Sequence, residues 1–268
     1  MKRPIQAMAA AAASVLIAGA AHATSFSPTS EFFEELTGAT FGGSGIPNDP
    51  AAFSTFAAVD ASGVVTGDVL TLGLIATQRY SNPELTNDGA GTYTAGRGSN
   101  FGGAGESSLE GALWNLGFYA SVEGSGGGVL SDFDLSLRYD FDPGADTPAA
   151  DLGSISINGS LNFADLGDGG VRFQTQMLLQ GSENMFFGFL GTPVPGVLTA
   201  PAFGPFDPDA VGEYSFAFEV GAGANSNVDT GADHVAIQVN VVPVPVALPM
   251  LASAFGIAAL VRRRARSV

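Results

Sequence analysis

The sequence predicts an all-β protein built as an antiparallel β-sandwich, jelly-roll-like or immunoglobulin-like, and three observations carry that prediction. Apolar and polar residues alternate with period two in several stretches, the pattern of strands with one dry and one wet face. The chain of 268 residues holds 37 Gly and 15 Pro, which supplies turns and disfavours long helices. Hydrophobic residues make up 46%, with 20 Phe, while charged residues make up only 13%, well below the ~25% of an ordinary soluble domain. That is enough apolar surface to fold, so the chain is not of the disordered class.

Taken in order, Glu31 to Leu36 reads as a brief helix and Phe53 to Val59 and Val69 to Ala76 as strands. Leu113 to Val122 is a further strand, flanked by glycine-rich stretches at Gly96 to Gly105 and Gly124 to Gly128 that read as exposed, mobile loops. The clearest alternation runs from Val129 to Asp142. Phe133, Leu135, Leu137, Tyr139 and Phe141 share one face, and Asp132, Asp134, Ser136, Arg138, Asp140 and Asp142 the other. This predicts one long half-buried strand. Leu152 to Ile157 follows, then a strand in which Val171, Phe173, Thr175, Met177 and Leu179 alternate with Arg172, Gln174, Gln176 and Gln180. The last two are Tyr214 to Val220 and Val235 to Val241. Asp209 to Tyr214 resembles a tyrosine-corner turn, one residue off its common spacing, which favours an immunoglobulin-like C-terminal half.

The charges are unevenly placed. Formal net charge is −16, all 26 acidic residues lie between Glu31 and Asp233, and only Arg79, Arg97, Arg138 and Arg172 carry positive charge among them. The other positive residues are Lys2 and Arg3 at one end and Arg262, Arg263, Arg264 and Arg266 at the other. So acidic a body would repel phosphate backbones, which excludes nucleic-acid binding by charge neutralisation. With no cysteine there is no disulfide frame and no thiolate chemistry.

Each basic end adjoins an apolar run. Lys2 and Arg3 precede Met8 to Ala20, and Ala21 and Ala23 supply the small residues of a cleavage site, so residues 1–23 read as a secretory signal peptide cut after Ala23. Residues 24–241 are then an extracellular β-sandwich domain, as one sandwich or two smaller ones. Beyond it, Pro243, Val244 and Pro245 lead into the uncharged Val246 to Val261, read as a transmembrane helix of the precursor, and then into the arginine cluster. The arginines would hold that end in the cytoplasm.

A proline pair, a short apolar helix and a terminal arginine cluster resemble the PEP-CTERM sorting signal of Gram-negative bacterial surface proteins, here over residues 242–268. Val244 stands where the name-giving motif has glutamate, so the match is to the Val-Pro-Leu-Pro variant group. The resemblance implies a partner, an exosortase-type membrane protease or transpeptidase, acting after the export machinery. It implies a membrane-anchored precursor whose body passes to the cell surface or the exopolysaccharide matrix. A tail that stays as a permanent anchor is the alternative.

The body offers little catalytic chemistry. His234 is its one histidine, on the polar side of a strand, and no Gly-x-Ser-x-Gly elbow is present. No enzymatic activity and no resident cofactor are expected. Asp140, Asp142 and Asp146 around Pro143 and Gly144 form the best candidate for a calcium site, with backbone-capping turn aspartates as the competing reading. Trp114, Phe118 and Tyr119 could form a sugar-stacking platform, but Trp114, Leu116 and Phe118 share strand parity, which favours core packing. The reading is therefore a structural or adhesive surface or matrix protein. A lectin-like carbohydrate-binding module, calcium-assisted or not, is the alternative, and a polysaccharide hydrolase or lyase the remote one.

Overall fold

The computed structural model describes residues 25–80, 82–100, 110–157, 172–221 and 234–243. The segment read as a signal peptide, the apolar C-terminal segment and the arginine cluster lie outside the described residues, as do residues 101–105 of the glycine-rich stretch from Gly96. The strands are β1 Phe32–Glu34, β2 Ala51–Val59, β3 Val65–Gln78, β4 Thr86–Asn87, β5 Thr92–Gly96, β6 Ser99–Asn100, β7 Gly111–Ala112 and β8 Trp114–Gly124. They continue as β9 Leu135–Tyr139, β10 Gly153–Ser156, β11 Arg172–Thr175, β12 Leu178–Glu183, β13 Leu198–Thr199, β14 Gly212–Val220 and β15 His234–Val242.

One sheet has the order β1-β2-β3-β8-β12-β11 and the other β13-β10-β9-β14-β15-β5-β4, with β6 and β7 as a separate ladder. Pairing is antiparallel throughout except between β15 and β5, which run parallel from Gln238 opposite Thr92 to Val242 opposite Gly96. Strands β14 and β15 pack across onto β2 and β3, so the two sheets lie face to face as an all-β, sandwich-like body.

Alternation explains what fills the space between them. Leu70, Leu72 and Leu74 of β3, Trp114, Leu116 and Phe118 of β8, Leu135, Leu137 and Tyr139 of β9, Phe216 and Phe218 of β14 and Val235, Ile237 and Val239 of β15 are all buried in one continuous apolar cluster. Trp114 meets the rings of Phe216 at 5.8 Å and Phe206 at 6.2 Å, and Phe118 meets Phe218 edge-on at 6.5 Å. The Trp114 and Phe118 rings therefore belong to the core and offer no sugar platform. Tyr119, on the outward side of β8, is buried as well.

The outer face of the β1-to-β11 sheet is also covered. Glycines at 73 and 117 leave hollows in it. A Cβ at Gly73 would stand 2.8 Å from Leu36, and one at Gly117 would stand 2.6 Å from Ile75 and 3.0 Å from the Phe41 ring. Leu36 and Phe41, from the loop after β1, are laid into these hollows. Gln180 holds that loop down by accepting the Thr40 and Phe41 amides at 2.8 and 3.0 Å.

Four sequence expectations need correction. Glu31 to Leu36 is not a helix: Phe32–Glu34 within it forms the edge strand β1. Six residues nucleate a helix poorly, whereas Phe32 stacks on Phe53 at 4.9 Å and Glu31 accepts the Thr55 hydroxyl at 2.8 Å. The stretch Val129 to Asp142 is not one strand: a 3-10 turn at Leu130–Asp132 precedes β9, with the Asp132 carboxylate accepting the Val129 amide at 2.9 Å. Arg172 to Gln180 is split into β11 and β12 by a turn at Gln176 and Met177, whose carbonyls accept the Leu130 and Val122 amides. Period-two alternation continues unbroken through a two-residue turn, so the pattern conceals the reversal. Finally, Gly124 to Gly128 is exposed but anchored: Asp68, buried on β3, accepts the Gly126 amide at 2.7 Å and the Gly128 amide at 2.9 Å.

The plug over the outer face gives a stability prediction. Phe41→Ala should lower the unfolding free energy in urea by about 3–5 kcal/mol, and Gly117→Val should destabilise as well by forcing Ile75 and Phe41 apart. A loss below about 1 kcal/mol for Phe41→Ala would show that the loop does not close the sheet.

Candidate functional site

Where β3 ends and β8 begins, the chain makes a close crossing. The Arg79 amide donates to the Leu113 carbonyl at 2.9 Å, and the Leu113 amide to Gly98 at 3.2 Å. Asn184, just past the end of β12, ties this crossing together. Its Oδ1 accepts the Ala112 amide at 2.8 Å and its Nδ2 donates to the Ala112 and Trp114 carbonyls at 3.0 and 2.8 Å and to Asn115 Oδ1 at 2.7 Å. A buried amide so fully satisfied fixes three strand ends relative to one another.

Against this frame lies a cleft of about 480 Å³ on the outer side of the β1-to-β11 sheet, closed on its far side by residues 43–47. Its floor and walls carry Thr77, Gln78, Arg79, Asn115, Ser182 and Asn184, with Tyr80 and Phe187 among its aromatic lining. Among the described residues no acidic side chain lines it, although the chain has 26. A second hollow of about 270 Å³ shares Pro47, Thr77 and Gln78 with it and is lined by Asp49 and Glu84.

Arg79 is the unusual member. It is 4% exposed, its Nη2 donates only to the Glu110 carbonyl at 3.2 Å, and its Nε is buried with no hydrogen-bond partner. The guanidinium lies 5.0 Å from the Tyr80 ring and 5.4 Å from the Phe187 ring, within cation–π range. Tyr80 is exposed with φ 52°, a left-handed conformation costly for a bulky residue. Gly111 makes room for the guanidinium, since a Cβ there would come within 2.5 Å of Arg79 Nη1 and 2.9 Å of Asn184 Oδ1. The one ion pair among the described residues is elsewhere, Arg138 to Glu219 at 2.6 Å.

Glu183 faces away from the cleft. Strand alternation puts Ser182 on the cleft wall and Glu183 in the interior, where both carboxylate oxygens lack partners and burial pushes its pKa up to about 8.

The residues singled out for calcium are engaged otherwise. Asp140 is buried, accepting the Asp142 amide at 2.8 Å and the Ser215 amide at 3.2 Å, so it caps the β9–β14 ladder and holds the loop after β9. Burial raises its pKa to about 6 against the lowering effect of these bonds. Asp142 accepts the Gly144 amide at 2.8 Å, and the Asp146 amide faces Glu213 Oε1 at 3.4 Å. Among the described residues no group of three or more acidic or histidine side chains is arranged to hold a metal ion. His234, half-buried, packs edge-on to Phe26 at 5.1 Å. Pro243 directly follows β15, while Val244 and Pro245 lie outside the described residues.

Comparison with known proteins gives no match: no family model, no curated protein and no solved structure is similar to the chain. The cleft was not anticipated from the sequence. Its residues come from four separated segments with no shared motif, and the one available signal was Arg79 itself, a lone cation following an apolar strand.

Glu183 gives a pH prediction. Its folded pKa lies above the unfolded value, so its contribution favours folding below about pH 4.5 and is lost as pH rises toward 8; Asp140 acts in the same direction but is spent by about pH 6. Between pH 6 and 8 the wild-type chain should lose about 2 kcal/mol of unfolding free energy, and Glu183→Gln should stay nearly flat. Parallel curves for the two proteins in urea titrations would contradict this placement of Glu183.

Proposed function

We propose that the chain is the precursor of an exported, non-enzymatic surface or matrix protein, with a structural or adhesive β-sandwich body sorted by an exosortase-type system through residues 242–268. The observation that carries this reading is the placement of charge: all 26 acidic residues lie between Glu31 and Asp233, while Lys2 and Arg3 at one end and Arg262, Arg263, Arg264 and Arg266 at the other each adjoin an apolar run. The last strand, β15, is an interior member of its sheet, flanked by β14 and β5, so a pull on the C-terminus is borne by two ladders.

Composition supports the same reading. The body between Ala23 and Pro243 has four arginines to 26 acidic residues, hence a net charge of −22, and no lysine. Such a surface resists self-association through charge while the rings hold the interior. Within this reading the C-terminal half is immunoglobulin-like. Tyr214, buried at the start of β14, reaches back to the Ala210 carbonyl at 3.5 Å, the direction of a tyrosine corner at a long distance.

A second reading, a carbohydrate-binding body, is favoured by one observation, the polar and aromatic cleft at Arg79. Binding and sorting are compatible, since the cleft lies within the body.

Sorting is tested by intact mass of the protein recovered from the cell surface. The mature product should begin at Thr24 and lack Arg262 to Val268, or carry a covalent addition near Pro243. A surface-exposed product that retains the arginine cluster would refute processing and leave a tail-anchored protein.

A further inference from the structure

We infer that the Arg79 cleft is a binding site for an anionic saccharide, with the carboxylate of a sugar acid seated on the guanidinium and the sugar hydroxyls on Thr77, Asn115 and Ser182. The inference rests on the carbohydrate-binding reading of the body and is independent of the sorting signal.

A guanidinium is permanently charged, and burying it without a counter-charge is costly unless something supplies one. Among the described residues Arg79 has an unpartnered buried Nε, one carbonyl acceptor and no carboxylate. Acids are plentiful in this chain, so a structural Arg79 would readily have acquired one as a partner. Instead the cleft lining is free of them among the described residues, which leaves the charge of the Arg79 guanidinium to be met by an oxyanion from outside. Gly111, with no Cβ, lets the guanidinium lie against the backbone at the cleft.

The remaining lining selects the rest of the ligand. Asn115 gives its Oδ1 to Asn184, which turns its amide nitrogen into a donor for the cleft, and Thr77 and Ser182 add hydroxyls. Hydroxyl and amide groups beside exposed aromatic surface suit a polyol ring more than a bare ion. At about 480 Å³ the cleft is within the ~300–1,000 Å³ typical of small-ligand sites. The body's net negative charge repels a polyanion at long range, but at 0.15 M salt the screening length is about 8 Å, so the seated contact survives while the repulsion fades.

The test is titration of the purified body with galacturonate and its trimer, against galactose, acetate and inorganic phosphate, at 0.15 M salt, by calorimetry. Galacturonate should bind, the other three should bind at least about tenfold more weakly, and Arg79→Gln should lose at least about tenfold in affinity. If Arg79→Gln does not fold, Ser182→Ala and Tyr80→Ala, at the cleft wall and its exposed lip, should each weaken galacturonate several-fold, with a melting temperature near that of wild type. Unchanged affinity in both overturns the inference. Galactose binding as well as galacturonate overturns the acidic assignment and leaves the carbohydrate reading standing. Acetate or phosphate binding equally well overturns the saccharide assignment, and no binding by any probe at 10 mM overturns both.

Discussion

The rings of Trp114, Phe206, Tyr214 and Phe216 lie between the two sheets, and the placement of everything else follows from them. There is no disulfide, and the described residues contain a single ion pair. Aromatic packing is thus the main term that holds the sheets at a fixed separation and register. Trp114 is the first residue of β8, and strand alternation then dictates what its neighbours do. With Trp114, Leu116 and Phe118 inside, Asn115 must face out. Thr77, paired directly opposite Asn115, must face out beside it, and Ser182 does so on β12 because Gly181 and Glu183 face in. The polar wall of the cleft is the reverse side of the aromatic core.

That dependence explains how much of the molecule could be read from its sequence. Strands such as Tyr214 to Val220 and Val235 to Val241 were legible because each carries its own pattern and finds the expected neighbour. The hairpin at Gln176 and Met177 was not, since a turn of two residues preserves the period. The edge strand at Phe32 was also hidden, its fate decided by the distant Phe53 and Thr55. Aspartates were the least legible of all: Asp140 falls on the nominally wet face of its strand yet is buried, because the loop it caps folds over it. Asp68 gave no local signal that it would clamp a glycine string sixty residues away. The candidate site belongs to this second kind, since Arg79, Asn115 and Ser182 meet only through register.

Glu183 and Arg79 show how the fold handles stray charge in two ways. Both are buried and, among the described residues, neither has an opposite charge against it, though they are near the same strand ends. A carboxyl can escape the cost by keeping its proton, and Glu183 does so, with its pKa pushed up to about 8. A guanidinium has no such escape. Its charge must be met by ring faces, by carbonyls or by an arriving anion, and the first two are present only in part. The asymmetry makes Glu183 a cost confined to stability and Arg79 a reason for the cleft to be occupied.

The position of the cleft relative to the C-terminus gives this arrangement a direction. The Val242 carbonyl accepts the Arg97 amide, the next residue Gly98 accepts the Leu113 amide, and Leu113 accepts the amide of Arg79. Three backbone bonds therefore connect the exit of β15 to the floor of the cleft, and both lie at the same end of the sandwich. A body tethered through residue 243 would present Arg79 toward its tether and away from the outer pole. An acidic polysaccharide held there would be one lying close to the attachment surface, so that binding would flatten the body against the layer to which it is fixed. A cleft at the opposite pole would instead reach outward, as suits contact with other cells. On the proposed tethering and binding, the backbone connection would favour cohesion within one matrix over adhesion between surfaces.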